Sequence, residues 1–154
     1  MGYCIDLIDQ SFTIKAENRP FALEAIRALD PVGAVQGGGG MFSKDESYTC
    51  FRWMHGVRLA EMQTLQSALE AWRFQPEFSG NGDIVCLDFI GEKIGDERIL
   101  FAAIAPFVER GSYLAFRGED GHVWRYFFDG TAMMEQAGTI AWDTRTEKEV
   151  RNGV

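Results

Sequence analysis

The sequence predicts an α+β domain in which about three helices pack on one face of a mostly antiparallel sheet that ends in a C-terminal β-meander. Apolar residues recur at helical spacing in three segments. Short apolar runs separated by glycine-containing turns fill the last third of the chain. Because 154 residues can bury enough surface for one core, we expect residues 1–143 to form a single domain and residues 144–154 a charged tail.

Two strands and a helix are predicted in the first 29 residues. The run at 3–9 alternates apolar and polar residues as a half-buried strand does, and the run at 11–15 continues it or pairs with it. The helix covers residues 18–29, with Asn18 as its cap and Pro20 in its first turn. Its core-facing stripe is Ala22, Ala25, Ile26 and Leu29.

A glycine-rich segment at 33–47 is predicted to be a flexible loop. Its four consecutive glycines, Gly37 to Gly40, do not form a phosphate-binding motif, because the GK[ST] ending is missing and no GxGxxG follows a strand. Such a composition is typical of a mobile linker. A further strand is predicted at 48–53.

The middle of the chain predicts a helix and two strands. Thr64 is the expected cap of a helix at 64–72, which has apolar residues at i, i+3, i+4 and i+7. A short strand at 74–78 and the turn "SGNGD" lead into a strand at 84–90. That strand is apolar on both faces apart from Asp88, which is typical of a central strand.

The last third predicts a buried helix followed by the meander. Asp96 is the expected cap of a helix at 97–108 that is apolar nearly all round, and Pro106 should kink it or end it. The dipeptide Asp129-Gly130 between two apolar runs is a strong hairpin signal. The strands of the meander are predicted at 112–117, 122–128, 131–136 and 139–142.

The charge of the chain favours a basic protein partner over nucleic acid. The net charge is -8. Residues 1–75 carry nine acidic and seven basic side chains, whereas residues 76–154 carry fourteen and eight, so most of the excess lies in the second half. A negative surface repels phosphates, and we therefore expect no direct binding of DNA or RNA. The same surface attracts a basic protein.

The cysteines and the N-terminal residues predict a soluble cytoplasmic protein. Cys4, Cys50 and Cys86 form an odd, widely spaced set in apolar runs, which favours buried and reduced thiols. The first ten residues lack the basic and apolar regions of a signal peptide. No apolar run approaches the roughly 20 residues that a membrane span needs.

No catalytic residue, metal site or cofactor is predicted. The two histidines, His55 and His122, have no local signature that pairs them with a cysteine or serine nucleophile. The cysteines and histidines also lack the spacing of metal ligands. The acidic pairs at 96–97 and 119–120 are typical of helix starts and solvated turns.

The stretch "GEDGHVWRYFFDG" leaves two interpretations open. In a strand, the side chains of His122, Trp124, Tyr126 and Phe128 share one face. The favoured interpretation is that this face packs on the helices. Arg125 then lies on the outer face with Phe127, paired either with the neighbours of Arg117 or with Glu135. The other is that part of the Trp-Tyr set is exposed as an interface anchor inside an acidic rim. That rim would be Glu119, Asp120 and Asp129.

Four segments from about Leu69 onward resemble a family of small, acidic, largely uncharacterised bacterial and phage proteins. They are "ALEAWRFQP", "GDIVCLDFIGEKIGDE", "LFAAIAPFVERGSYLAF" and "GEDGHVWRYFFDG", and "FIGEKIGDE" is the most specific part. The resemblance covers about half of the chain and brings no agreed activity with it. It implies a setting in mobile gene sets, which suggests immunity proteins or antagonists of host defence.

The leading functional hypothesis is a non-catalytic acidic module that binds and inhibits a basic toxin or nucleic-acid-processing enzyme. One alternative is a self-associating accessory protein, which pairs with its own copy through the aromatic strand. Another is a small-ligand-binding domain or enzyme with a pocket near His122. The residues predicted to bind a partner are Glu92, Asp96, Glu97, Glu119, Asp120, Trp124, Tyr126 and Asp129.

Overall fold

A computed structural model describes residues 2–29, 51–146 and 148–150. The predictions for Cys50 and for the glycine-rich segment 33–47 lie outside these residues. The α-helices within them are α1 (Arg19–Arg27), α2 (Leu65–Ala71) and α3 (Glu97–Ile104). The strands are β1 (Ile5–Ser11), β2 (Phe74–Phe78), β3 (Ile84–Phe89), β4 (Tyr113–Gly118), β5 (Val123–Phe128) and β6 (Met133–Gly138). The α+β fold class is confirmed.

The strands form two antiparallel sheets. One has the order β1-β4-β5-β6 and contains the predicted C-terminal meander, and the other is the hairpin β2-β3. The predicted fourth meander strand at 139–142 is wrong, because this segment has no strand structure and its side chains are exposed. Residues 51–53 form a turn where a strand was predicted.

The side chain of Gln10 joins the two sheets where backbone pairing is interrupted. Its amide donates to the carbonyl oxygen of Leu87 at 2.8 Å and accepts from the Leu87 N–H at 2.9 Å. Beyond β1, the backbones of Ile14 and Ile84 exchange hydrogen bonds of 3.0 and 2.9 Å. The prediction of β3 as a central strand is therefore wrong in detail: β3 pairs with β2 and only touches β1 locally, and Val85 is 44% exposed.

The residues predicted to cap or end the helices do so in some cases and not in others. Thr64 caps α2 as predicted, since its hydroxyl oxygen accepts the backbone N–H of Ser67 at 3.0 Å. Asn18 makes no side-chain cap, because a short 3-10 turn over Ala16–Asn18 already leads into α1. Helix α3 ends before Pro106, as predicted, and continues as a 3-10 turn over Ala105–Phe107.

The core lies between the helices and the inner face of the larger sheet. Phe101 of α3 is at its centre, with ring centroids 5.0 to 6.3 Å from those of four neighbours. These neighbours are Phe12, Phe74, Tyr126 and Phe128. Helix α3 is buried along this face only and leaves Ala102 exposed, so it is not buried all round. No helix among the described residues is long and apolar enough to cross a membrane.

The favoured interpretation of the aromatic strand is confirmed for three of its four residues, whereas the side chain of His122 is exposed. Trp124, Tyr126 and Phe128 are 5%, 4% and 0% exposed and face the core. The predicted pairing of Arg125 with Glu135 is wrong, because the β5–β6 register places Glu135 opposite Tyr126 on the inner face. On the outer face, Arg125 donates to the Gln136 side chain at 2.6 Å. Its guanidinium also lies over the rings of Tyr113 and Phe127.

The two described cysteines are free thiols. Both Cys4 and Cys86 are half-buried, so the prediction of buried thiols holds only in part for them. Burial raises the pKa of each thiol, and nearby carboxylates add to the effect. Each of these thiols is therefore held in its protonated, less nucleophilic form.

Candidate functional site

A cleft of about 590 Å³ lies between the start of α3 and the β4–β5 turn. Its polar lining residues are Tyr3, Asp96, Arg98, Asp120, His122 and Glu135. Trp124, Tyr126, Ile94 and Ile99 add apolar surface to its lining. Four of the eight residues predicted to bind a partner thus meet in one place, beside the histidine of the alternative hypothesis.

The β4–β5 turn holds the carboxylate of Asp120 at one side of the cleft. Its Oδ1 atom accepts the backbone N–H of His122 at 3.0 Å and the hydroxyl of Tyr3. The hydrogen bond from Tyr3 is the main cause that lowers the pKa of Asp120. The same bond raises the pKa of Tyr3 to about 12. At pH 7, Asp120 is therefore a fixed anion and Tyr3 a neutral donor.

The loop before α3 holds Asp96 at the opposite side. Its Oδ2 atom accepts the backbone N–H of Arg52 at 2.7 Å. Asp96 occupies the N-cap position of α3 as predicted, but its side chain makes no capping hydrogen bond to the helix. The carboxylate is directed instead by the segment that precedes α2.

Glu97 holds the loop before α3 in place. Its two oxygens accept the backbone N–H of Gly95 at 3.1 and 2.8 Å, and it forms an ion pair with Arg73. Arg73 also donates to the carbonyl oxygen of Lys93 at 2.6 Å. Burial raises the pKa of Glu97 despite the neighbouring guanidinium. With 2% of its surface exposed, Glu97 positions the loop and does not present its carboxylate to a partner.

An ion pair between Arg98 and Glu135 crosses the cleft. The Arg98 side chain is 68% exposed and that of Glu135 is 37% exposed. Oε2 of Glu135 is the atom in contact with the guanidinium. An exposed pair of this kind contributes little net stability, so the contact is easily exchanged for another.

Aromatic rings form the wall between these charged groups. The imidazole of His122 stacks on the indole of Trp124 with a centroid distance of 5.5 Å and an interplanar angle of 20°. Tyr126 lies deeper, and burial raises the pKa of its hydroxyl to about 12. The exposed His122 ring is thus supported by the buried indole of Trp124, which gives the cleft a flat aromatic surface beside its acids.

The other three residues predicted to bind a partner lie outside the cleft. Glu92 and Glu119 are exposed and close enough to Cys4 to contribute to its raised pKa. Asp129 lies at the opposite end of β5. Its carboxylate accepts the N–H groups of Thr131 and Ala132 at 2.8 and 2.7 Å, and the Ala132 bond is the main cause that lowers its pKa. Asp129 therefore shapes the β5–β6 turn.

Sequence reasoning missed three polar residues of the cleft. Tyr3 and Asp120 are 117 positions apart, and no local pattern connects them. Arg98 has no distinguishing signal beyond its position in the first turn of α3. Glu135 could have been found, since antiparallel pairing with Tyr126 places both side chains on the same face of the sheet.

The carboxylates of the cleft are held apart, each with one oxygen that accepts a hydrogen bond or an ion-pair contact. Among the described residues, no hydrogen bond reaches Oδ1 of Asp96, Oδ2 of Asp120 or Oε1 of Glu135. These acids do not form a chelating group. In the described part of the chain, ligand atoms of three candidate residues lie within 4.8 Å of one another only at Glu77, Cys86 and Asp88. The Glu77 and Asp88 side chains are exposed.

No protein-family model, curated protein or solved structure matches the chain. The resemblance to small acidic bacterial and phage proteins therefore stays a prediction. The function has to be inferred from the chemistry of the cleft, in which separated acids surround a ring-lined surface.

Proposed function

We propose that the protein is a non-catalytic acidic binding module of the immunity-protein or anti-defence type. It would bind and inhibit a basic partner, such as a toxin or a nucleic-acid-processing enzyme, by occupying the basic surface of that partner. The observation that carries this proposal is the cleft, in which Asp96, Asp120 and Glu135 are each held through one oxygen and open through the other.

Fixed acids of this kind suit recognition of cationic side chains. Since the loop and turn already orient the carboxylates, binding costs little additional ordering of the protein. The overall charge of -8 increases the rate of encounter with a basic surface and makes that rate sensitive to salt. The free thiols of Cys4 and Cys86 support a reducing, cytoplasmic location.

Affinity capture with charge-neutralised variants tests this proposal. The cleft variant is Asp96→Asn, Asp120→Asn and Glu135→Gln, in which each replacement keeps an oxygen that accepts hydrogen bonds. The matched control is Glu24→Gln, Glu61→Gln and Glu70→Gln, which removes the same charge from exposed residues outside the cleft.

We expect the wild-type protein and the control variant to capture the same basic protein from a lysate of the source organism at low salt. The cleft variant should lose that protein, and high salt should release it from the wild type. The captured protein is then purified and its affinity for all three baits is measured by calorimetry. Equal affinities for the cleft variant and the control would show that the partner binds elsewhere.

A small-ligand site is a second candidate function, favoured by the size of the cleft and by the stacked His122. A volume of about 590 Å³ lies within the range of small-molecule sites. Ligand-observed NMR with a library of small organic cations and anions distinguishes the two candidates. A ligand that binds in the micromolar range to the wild type and is lost in a folded His122→Ala variant would favour the small-ligand function.

A further inference from the structure

We propose that the cleft recognises an arginine side chain of the partner, and that Arg98 is an internal competitor that occupies part of this site in the free protein. The inference rests on the proposed function, because it names the chemical group by which the basic partner is bound. It also assigns a role to the ion pair between Arg98 and Glu135 that the proposed function does not require.

The ion pair itself shows that the cleft accommodates a guanidinium. Arg98 places its guanidinium against Oε2 of Glu135 and lines the same cleft as Asp96 and Asp120. A guanidinium is planar and carries five N–H donors, so it can bridge several carboxylates that are too far apart to chelate a metal. The stacked rings of His122 and Trp124 offer a flat surface on which such a plane can lie.

Arg98 is suited to be displaced. Its side chain is 68% exposed, and Glu135 is its only ion-pair partner in the described part of the chain. An arginine from the partner takes over Glu135 in the cleft that Asp96 and Asp120 also line, while Arg98 turns into solvent. Exchange of one guanidinium for another preserves the charge balance at Glu135.

The competition predicts a gain of binding when Arg98 is neutralised. Asp96, Asp120 and Glu135 carry three negative charges and Arg98 one positive charge, so Arg98→Gln makes the cleft more negative by one unit. Removal of one unit of repulsion near the surface should tighten binding of a cation by about fivefold. A merely structural role of Arg98 predicts the opposite, because loss of the ion pair would loosen the cleft.

Short peptides provide a test that does not need the natural partner. The probes are acetyl-Gly-Arg-Gly-amide and its lysine and citrulline counterparts, of which citrulline is the neutral isostere of arginine. Binding is followed by the indole N–H resonance of Trp124, assigned with a Trp124→Phe variant. The matched control for Arg98→Gln is Arg58→Gln, which breaks the exposed ion pair of Arg58 with Glu61 outside the cleft.

We expect the arginine peptide to shift the Trp124 resonance, the lysine peptide to bind more weakly, and the citrulline peptide not to bind. Arg98→Gln should tighten binding of the arginine peptide by about fivefold, Arg58→Gln should change it little, and Glu135→Gln should weaken it. Equal binding of arginine and citrulline, or weaker binding to Arg98→Gln than to Arg58→Gln, would overturn the inference.

The two proposals fail in different experiments. If the cleft variant loses its basic partner but the arginine peptide does not bind, the proposed function stands and the arginine inference is wrong. If the peptide binds as expected but neutralising the cleft leaves partner affinity unchanged, the cleft recognises arginine and the proposed function is wrong. Melting curves and ¹⁵N–¹H spectra of each variant establish that it is folded before binding is compared.

Discussion

The hydroxyl of Tyr3 donates a hydrogen bond to the carboxylate of Asp120, although 117 positions separate the two residues in the chain. This bond ties the segment before β1 to the turn between β4 and β5. It also sets the charge at one side of the cleft, since it lowers the pKa of Asp120 and raises that of Tyr3. The proposed binding surface therefore depends on a contact between distant parts of the chain.

Tyr3→Phe should lower the free energy of unfolding below pH 10 and should lower it less at higher pH. The pKa of Tyr3 is raised from 10.0 to about 12, so its contribution is fully present below pH 10 and is lost as pH rises toward about 12. The measurement is the absorbance of tyrosinate at 295 nm during alkaline titration. The difference between wild type and Tyr3→Phe should show one tyrosine that ionises near pH 12. Ionisation of that residue near pH 10 would contradict the bond.

Arg73→Ala should destabilise the protein more than any neutralisation of an exposed charge. It leaves the carboxylate of Glu97 buried at 2% exposure without its ion-pair partner, which costs about 3–5 kcal/mol. Arg73→Ala combined with Glu97→Gln should recover part of this loss, because the remaining amide oxygen still accepts the N–H of Gly95. Chemical denaturation of the four proteins in the cycle measures the coupling. Additive effects would show that the pair is not coupled.

Gln10→Glu should destabilise the junction between the two sheets. Glutamate keeps the acceptor for the Leu87 N–H but loses the donor to the Leu87 carbonyl oxygen, which leaves that oxygen without its partner. For a half-buried site we expect a loss of about 1–2 kcal/mol in the free energy of unfolding. Gln75→Ala, on the exposed face of β2, is the control and should change it by less than about 0.5 kcal/mol. Similar values for both variants would show that Gln10 does not join the sheets.

Elements defined by neighbouring residues could be predicted from the sequence, whereas their assembly could not. Thr64 caps α2 because the N–H that it accepts is only three residues away, and the strand over Phe74–Phe78 has the predicted bounds. The junction of the two sheets instead involves Gln10, whose side chain bonds the backbone of Leu87, 77 positions away. Such a long-range contact produces no periodic pattern of residues in the sequence.

The cleft follows the same rule. Four residues that line the cleft could be named from the sequence, because acids near turns and rings in strands are recognisable locally: Asp96, Asp120, Trp124 and Tyr126. Glu97 was misjudged as a surface acid, because its partner Arg73 comes from the end of α2, 24 positions earlier. Only the packing of distant segments decides which acids face solvent and which hold a loop in place.

Gly118→Ala should disturb the cleft through Tyr3. A Cβ atom at Gly118 would overlap the Tyr3 ring, with the hydroxyl and adjacent ring carbons as its nearest neighbours. The added methyl group should push the ring away from Asp120 and destabilise the protein by about 1–3 kcal/mol. In a Tyr3→Ala background the methyl group meets no ring, so the same substitution should cost much less.

A double-mutant cycle separates this effect from a general intolerance of β4 to alanine. Gly118 is buried and its Cβ would meet the Tyr3 side chain first, so the coupling energy between Gly118→Ala and Tyr3→Ala should account for most of the cost of the former. Urea denaturation gives the stabilities. The difference titration between Gly118→Ala and the double variant Gly118→Ala/Tyr3→Ala reports the broken bond, because the ionisation of Tyr3 should move from near pH 12 toward pH 10. An equal cost of Gly118→Ala in both backgrounds would mean that the ring does not lie over Gly118. The position of Asp120 in the cleft would then need another support.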